Sequence, residues 1–344
     1  MNNFSSLFQH LDIPALKTKI SDAKSILITA HKSPDGDAVG STLGLWNVLN
    51  DLGKNTTVIL PDGFPGNLKW MNGTDKILLF DSDKEKAEKL FSEADIIFCL
   101  DYNDFSRTGE MKTILQNSSA YKIMIDHHPE PTNEVDILVS SVSECATAQM
   151  IYQFIHTMGW KNNLYSKGAE CLYCGIMTDT GSFRFPSTSA KTHQIVSELL
   201  TTGMINSYVH SQVFDNDSES RLRLTGFAIS EKMKVMHDLK TTYFVLTQEE
   251  LNRFNYQSGD TEGLVNYGLG VKGIKMSAIF VERGDQVKIS FRSKGNVPVN
   301  QFSKKYFNGG GHMNAAGGSS NCNISETVSL FLEKLPDFIR ENEI

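Results

Sequence analysis

Three things are scarce in this sequence, and each absence narrows what the protein can be. Lysine and arginine together number 33 against 40 aspartates and glutamates, for a net charge of −7. No basic stripe offsets that balance. Long nucleic acid is gripped largely through its phosphates, so a protein built for it normally shows such a stripe. A long duplex partner is therefore not expected, although an acidic protein can still take a small anion where metal ions supply local positive charge. Cysteine is also sparse, with five residues (Cys99, Cys145, Cys171, Cys174, Cys322) in odd number and irregular spacing. That argues against a disulfide framework and for a reducing compartment. The C-x-x-C of Cys171 and Cys174 has no second ligand pair to complete a zinc site, and reads as two small buried residues on one helix. Finally, no stretch approaches the ~20 apolar residues of a membrane span. The first twenty residues lack a basic segment followed by an apolar run, so no signal peptide is expected. A cytoplasmic protein with no membrane partner is the resulting expectation.

What is present is enough for two cores. A chain of 344 residues exceeds what one hydrophobic core usually holds, and 40% hydrophobic with 21% charged residues suits a globular enzyme. Short apolar runs at 25–30 (SILITA), 57–60, 76–80, 95–100 (DIIFCL) and 121–125 (YKIMI) alternate with amphipathic segments at 38–52, 84–92, 111–116, 147–158 and 166–177. Strands that are apolar on both faces and separated by helices predict a parallel sheet covered on both sides. From 189 to 229 the pattern is helical, with a polar break at 215–218. Runs at 233–237, 241–247, 276–282 and 286–292 alternate as in a mixed sheet. A glycine-rich stretch at 308–318 and a helix over 325–341 follow. The predicted fold is α/β, with an N-terminal parallel-sheet domain (1–190), a helical linker (191–231) and a smaller C-terminal α+β domain with a mixed sheet (232–344).

Acidic residues and histidines gather where those strands end. His31 follows SILITA and leads into KSPDGDAVGS with Asp35 and Asp37. Asp101 follows DIIFCL, Asp126-His127-His128 follow YKIMI, and Asp179 lies in MTDTGSFRF after a helix. Ligands of open parallel sheets bind outside the carboxyl ends of the strands, so three of the four clusters are placed at one edge. So many carboxylates would repel one another if buried alone. Divalent cations would balance them, and carboxylate with imidazole but no thiolate suits manganese better than zinc. Gly268 to Gly273 spells G-x-G-x-x-G, but a strand-like segment follows where a dinucleotide site needs a helix. Arg107, just past Asp101, is read either as an ion-pair partner or as a substrate contact.

Taken together, H-x-x-PDGDAxGS, a strand-terminal aspartate, an Asp-His-His triplet and a later DTG resemble the four motifs of the DHH phosphoesterases. NGGGHMNAAGG (308–318) resembles the GGGH motif of the DHH-associated domain, and FRSKG, carrying Arg292 and Ser293, its substrate strand. The match spans nearly the whole chain. The resemblance implies that His31, Asp35 and Asp101 hold one Mn2+, and that Asp37, Asp101, His127 and Asp179 hold a second, with Mg2+, Co2+ or Fe2+ as alternatives. It implies that His128 orients water or the scissile phosphate, with His128 and His312 both candidates for the general acid. Asp126 would orient a histidine ring. His312 and the amides of Gly309, Gly310 and Gly311 would face the substrate phosphate, Arg292 would pair with a terminal phosphate, and Ser293 would lie beside it on the substrate strand.

The RecJ-type exonucleases of this group would want further nucleic-acid-binding modules and a basic track, and the family-two pyrophosphatases lack GGGH. The compact two-domain members remain. They resemble nano-RNases, which degrade oligonucleotides of a few residues and remove the 3′-phosphate of 3′-phosphoadenosine 5′-phosphate (pAp). Hydrolysis of cyclic di-AMP or pApA is the alternative within the class, and a nucleotide-binding regulatory module the alternative outside it. Expected partners are short oligonucleotides and small nucleotides, with a homodimer left open.

Overall fold

Continuous apolar runs dictate the first sheet. In a computed structural model describing Phe4 and residues 6–342, six strands run parallel: β1 (Ile26–Thr29), β2 (Thr56–Leu60), β3 (Leu78–Leu79), β4 (Ile96–Leu100), β5 (Tyr121–Asp126) and β6 (Ile137–Ser140). Their order is β3-β2-β1-β4-β5-β6, the doubly wound arrangement whose strand order reverses between β1 and β4. Both faces are buried, which explains why the runs read as continuous rather than alternating. Ile26, Ile28, Phe98 and Ile125 face a core shared with Leu43, Phe154 and Ile176. Leu27, Ile97, Cys99 and Met124 face the opposite way, onto Phe91, Met111 and Leu115.

Helices Gly36–Asp51, Thr147–Thr157 and Ser166–Asp179 therefore cover one face, and Lys84–Glu93 and Met111–Asn117 the other. Two details differ from the sequence reading. The strand expected over 76–80 is reduced to Leu78–Leu79, because Thr74–Lys76 forms a 3-10 turn. An additional edge strand, β6, appears at a half-buried stretch where none was expected.

The chain divides into two units after Asn216. Of the helical stretch 191–231, helices Ala190–Leu200 and Asn206–Phe214 fall in the first unit and Glu219–Phe227 in the second. The second unit holds β7 (Lys234–Met236), β8 (Thr241–Leu246), β9 (Met276–Arg283), β10 (Gln286–Ser293), β11 (Gly310–His312) and β12 (Ala315–Ser320). Their order is β11-β12-β10-β9-β8-β7. The sheet is mixed, as β8 and β9 pair parallel and the other neighbours antiparallel. Phe280, Phe291, Phe302 and Phe331 form the core of one face, and Phe244, Ile279 and Leu264 that of the other.

The glycine-rich stretch forms a β-hairpin. Gly268 closes on β8 and β9, where a Cβ would stand 2.2 Å from Thr242 Oγ1. The G-x-G-x-x-G run then leads into a strand, not into the helix of a dinucleotide site. Among the described residues no helix is long and apolar enough to cross a membrane.

Candidate active site

The reversal of strand order brings the ends of β1 and β4 side by side, and two motif residues leave the sheet there. His31 lies just past β1 and Asp101 directly follows β4. Asp101 takes the left-handed backbone conformation, φ 63°, a region where aspartate is tolerated better than most residues and which tends to mark functional sites. Asp35 is the N-cap of helix Gly36–Asp51, its Oδ1 accepting from the amides of Asp37 (3.0 Å) and Ala38 (3.1 Å). The D-G-D turn is therefore a helix start, with Asp37 in the first turn. Asp179 is the last residue of its helix, Ser166–Asp179, rather than lying beyond it.

That helix meets Gly36–Asp51 at very short range. A Cβ on Gly40 would stand 2.5 Å from the Cys171 carbonyl oxygen and 2.9 Å from the Gly175 amide nitrogen. A Cβ on Gly175 would stand 2.7 Å from Asp37 Oδ1. The two helices that carry Asp37 and Asp179 can approach this closely only because both positions are glycine. Cys171 and Cys174 lie fully buried on the second of them, and burial pushes the Cys171 thiol up to about 12. They are packing residues.

The four clusters converge into two ligand sets. His31, Asp35 and Asp101 offer donor atoms all within 4.8 Å of one another, and so do Asp37, His127 and Asp179. Asp101 faces both sets: its Oδ2 lies 3.4 Å from His31 Nε2 and its Oδ1 3.5 Å from His127 Nε2. His127 Nε2 is also 3.4 Å from Asp179 Oδ2 and 3.7 Å from Asp37 Oδ2. The outward nitrogen of His31 is fixed by its other one, since Nδ1 lies 2.9 Å from the Lys32 carbonyl. His128 differs. Its Nδ1 is 2.7 Å from Asp126 Oδ1, and its amide donates to Asp126 Oδ2 at 3.0 Å. Asp126 is thus the acceptor that orients the His128 ring.

The electrostatics of this cluster call for positive charge. Burial, reinforced by Asp101 and Asp179, pushes the Asp37 carboxyl well above the usual range, and burial with Asp35 does the same to Asp179. Burial also disfavours the charged form of Asp101, yet hydrogen bonding to His127 and His31 holds it well below that range. Burial likewise works against protonation of the imidazoles, but Asp101 carries His31 up to about 9 and His127 well above its ordinary value. A bound divalent cation inverts this logic, favouring ionised carboxylates and neutral imidazoles. The donor set of carboxylate oxygens and imidazole nitrogens fits Mn2+, Mg2+, Fe2+ or Co2+.

Arg107 lies in the 3-10 turn Phe105–Thr108, its carbonyl accepting from the Lys32 amide at 2.8 Å. Its charge opposes protonation of His31. His128 also lines an open groove of about 500 Å³ with Pro129, Leu138, Ser141 and Val142.

In the second unit the expected phosphate-facing residues divide. Gly309 donates its amide to the Ser303 carbonyl at 3.3 Å, and a Cβ there would stand 1.9 Å from the Gly317 carbonyl oxygen. Gly311 (φ 134°) is likewise hemmed in by Ala315. Both glycines pack within the β11–β12 hairpin, and the Gly309 amide is engaged there. Gly310 alone is exposed, with open space around it. His312 is half-buried on β11 opposite Ala315. Ser293 is buried and committed to its own loop, donating to the Val297 carbonyl (2.7 Å) and accepting from Asn314 (2.8 Å). Arg292 sits beside it on β10, with Nη1 donating to the Phe291 carbonyl.

Acid and imidazole donors gathered at the switch point of a doubly wound sheet define a candidate divalent-metal site. Residues 25–176 match the DHH family, N-terminal domain, and residues 240–341 match the DHHA1 domain; the chain belongs to the DHH family of phosphoesterases. It is 30% identical over 303 residues to the bifunctional oligoribonuclease and PAP phosphatase NrnA of Bacillus subtilis (strain 168), covering 87% of this chain and 90% of that one. A cyclic-di-AMP phosphodiesterase, GdpP of Geobacillus thermodenitrificans, is 26% identical over 343 residues, 94% of this chain but 49% of its own length. Among solved structures, an exopolyphosphatase-related protein from Bacteroides fragilis superposes with a TM-score of 0.92 at 40% identity, over 96% of this chain and 97% of that chain.

Proposed function

We propose that this chain hydrolyses oligoribonucleotides of a few residues to mononucleotides and removes the 3′-phosphate of pAp to give AMP. The observation that carries the reading is Asp101, whose two oxygens face separate ligand sets 3.4 and 3.5 Å away. His31, Asp35 and Asp101 would hold one divalent cation, and Asp37, Asp101, His127 and Asp179 the other, with Mn2+ the first choice. When bound, such a pair supplies an activated water at neutral pH and offsets charge on the phosphoryl oxygens.

The protein's own groups do the rest. Asp126 holds the Nδ1 of His128 and so orients the ring, to which we assign the transfer of a proton to or from the reacting oxygens. We assign Arg107, whose charge acts on His31, to substrate binding, and Arg292, Gly310 and His312 to the terminal phosphate. The net charge of −7 favours short substrates over a long strand. The name of the B. subtilis relative points the same way.

The test is to incubate the protein with Mn2+ and pAp, pApA, a five-residue RNA, a long single strand, cyclic di-AMP and polyphosphate in parallel. AMP from pAp and pApA, shortening of the five-mer and an untouched long strand are expected. Cleavage of cyclic di-AMP alone, or of polyphosphate alone, would replace this reading.

A further inference from the structure

We propose that Thr147 is the positioning residue that locks Asp37 and Asp101 in ligating register; the inference rests on the metal-centre reading above. Thr147 is the first residue of helix Thr147–Thr157 and is fully buried. Helix starts usually carry Ser, Thr, Asp or Asn at the cap position, whose side chain satisfies the first free amides. Here the cap is Ala146, which has no side chain for the task. The amides go instead to a residue 110 positions earlier in the chain. The Thr147 amide donates to Asp37 Oδ2 at 2.6 Å, and the Ala148 amide to Asp37 Oδ1 at 2.8 Å. Both oxygens of one carboxylate are thereby cradled by one helix start.

The Thr147 hydroxyl, one residue inside the helix, is then free to donate to Asp101 Oδ1 at 2.9 Å. That is the oxygen facing His127, and fixing it turns Oδ2 toward His31. One residue thus sets the orientation of a ligand from the β4 end and of another from helix Gly36–Asp51. A hydroxyl suits the task because it is a neutral donor. A lysine or arginine here would compete with a cation for the same carboxylates.

The helix start is itself anchored from behind. Buried Glu144 accepts from Gln149 Nε2 (2.6 Å) and Gln153 Nε2 (2.7 Å) and pairs with Lys191. Across the carboxylate, the missing side chain of Gly175 leaves room for Asp37 Oδ1. Asp37 is therefore wedged between two helices, and the hydroxyl of Thr147 ties that wedge to Asp101.

The test compares Thr147→Val, which keeps the shape and removes the donor, with Thr147→Ser, which keeps the donor. Chelator-stripped protein is titrated with Mn2+ by calorimetry, the electron paramagnetic resonance of the bound ion is recorded, and the stripped proteins are melted in parallel. The valine variant is expected to lose about 10-fold or more in Mn2+ affinity and to change the resonance signature, while serine stays within about 3-fold of the parent. If the valine variant does not fold, Thr147→Ala is expected to show the same loss. Valine binding Mn2+ as tightly as the parent with an unchanged signature would overturn the inference, as would serine failing as badly as valine. A parent protein that binds no Mn2+ would instead overturn the metal-centre reading.

Discussion

Replacing Gly40 with alanine tests whether helix contact builds the site. The added methyl would stand 2.5 Å from the Cys171 carbonyl oxygen, and ordinary contact begins at 3.4 Å, so the helices must part by about 0.9 Å. Both nearest neighbours are backbone and cannot swing aside. The penalty therefore belongs at the upper end of the overpacking range, ~3 kcal/mol. Alanine returns ~1 kcal/mol through its better helix propensity, leaving ~2 kcal/mol net. For a unit of this size that lowers Tm by about 4–8 °C. Asp37 and Asp179 ride on the two helices, and a misplacement of about 1 Å near the chemistry can reduce turnover about 100-fold. The assay is thermal melting of metal-stripped protein together with kcat/KM for pAp. Gly226→Ala is the control, since a Cβ there meets nothing within 4 Å and the substitution should stabilise by about 1 kcal/mol. A Gly40→Ala protein that melts at or above the parent and keeps full activity would refute the reasoning.

Three further outcomes are expected. Asp126→Asn should lower kcat by about 10- to 100-fold through loss of His128 orientation, with bound metal unchanged by elemental analysis; an equal loss of metal would show that Asp126 acts as a ligand. Gly309→Ala should destabilise the second unit by about 3 kcal/mol, whereas Gly310→Ala should leave stability within about 0.5 kcal/mol and raise KM, as urea unfolding and kinetics would show. Asp95 accepts from the amides of Lys24 (2.6 Å) and Ser25 (3.0 Å), which hold its carboxyl below the ordinary value. A lowered folded-state pKa gives stability that is present above the unfolded value near 4 and lost as pH falls through the folded one. Asp95→Asn should therefore be less stable than the parent at pH 7, by under about 1 kcal/mol for so exposed a group, with the gap narrowing as pH falls below about 4. A gap that stays constant with pH would mean that the charge is not involved.

The parts of this molecule legible in the sequence are those whose chemistry is unusual where it stands. Strands buried on both faces announced themselves as unbroken apolar runs, and β1, β4 and β5 lie within a residue of where those runs predict. β6 did not, because an edge strand is only half covered and its Ile137 and Leu138 remain partly exposed. The β11–β12 hairpin was hidden for another reason: glycine carries no side chain to alternate, so the period of two that marks a strand is absent. The same blindness hid the packing of Gly309, whose neighbours Gly317 and Ser303 can only be known from the fold.

The first-unit acids and histidines could be read from the sequence because no ordinary core explains so many of them at strand ends. Thr147 could not, since a threonine that opens a helix is unremarkable and its partner Asp37 lies 110 residues away. Yet one local signal was there. Alanine is a poor residue at a helix cap, and natural sequences break local rules chiefly where function requires it. Ala146 satisfies no amide of its own helix, so those amides had to be satisfied from outside. A helix start that is buried, uncapped and adjacent to a predicted acidic cluster is therefore a place to look for a carboxylate held by backbone. The spacing of Gly36, Gly40 and Gly44 is a signal of the same kind, because three glycines on one helix face sacrifice helix propensity for an approach that only a second helix can use.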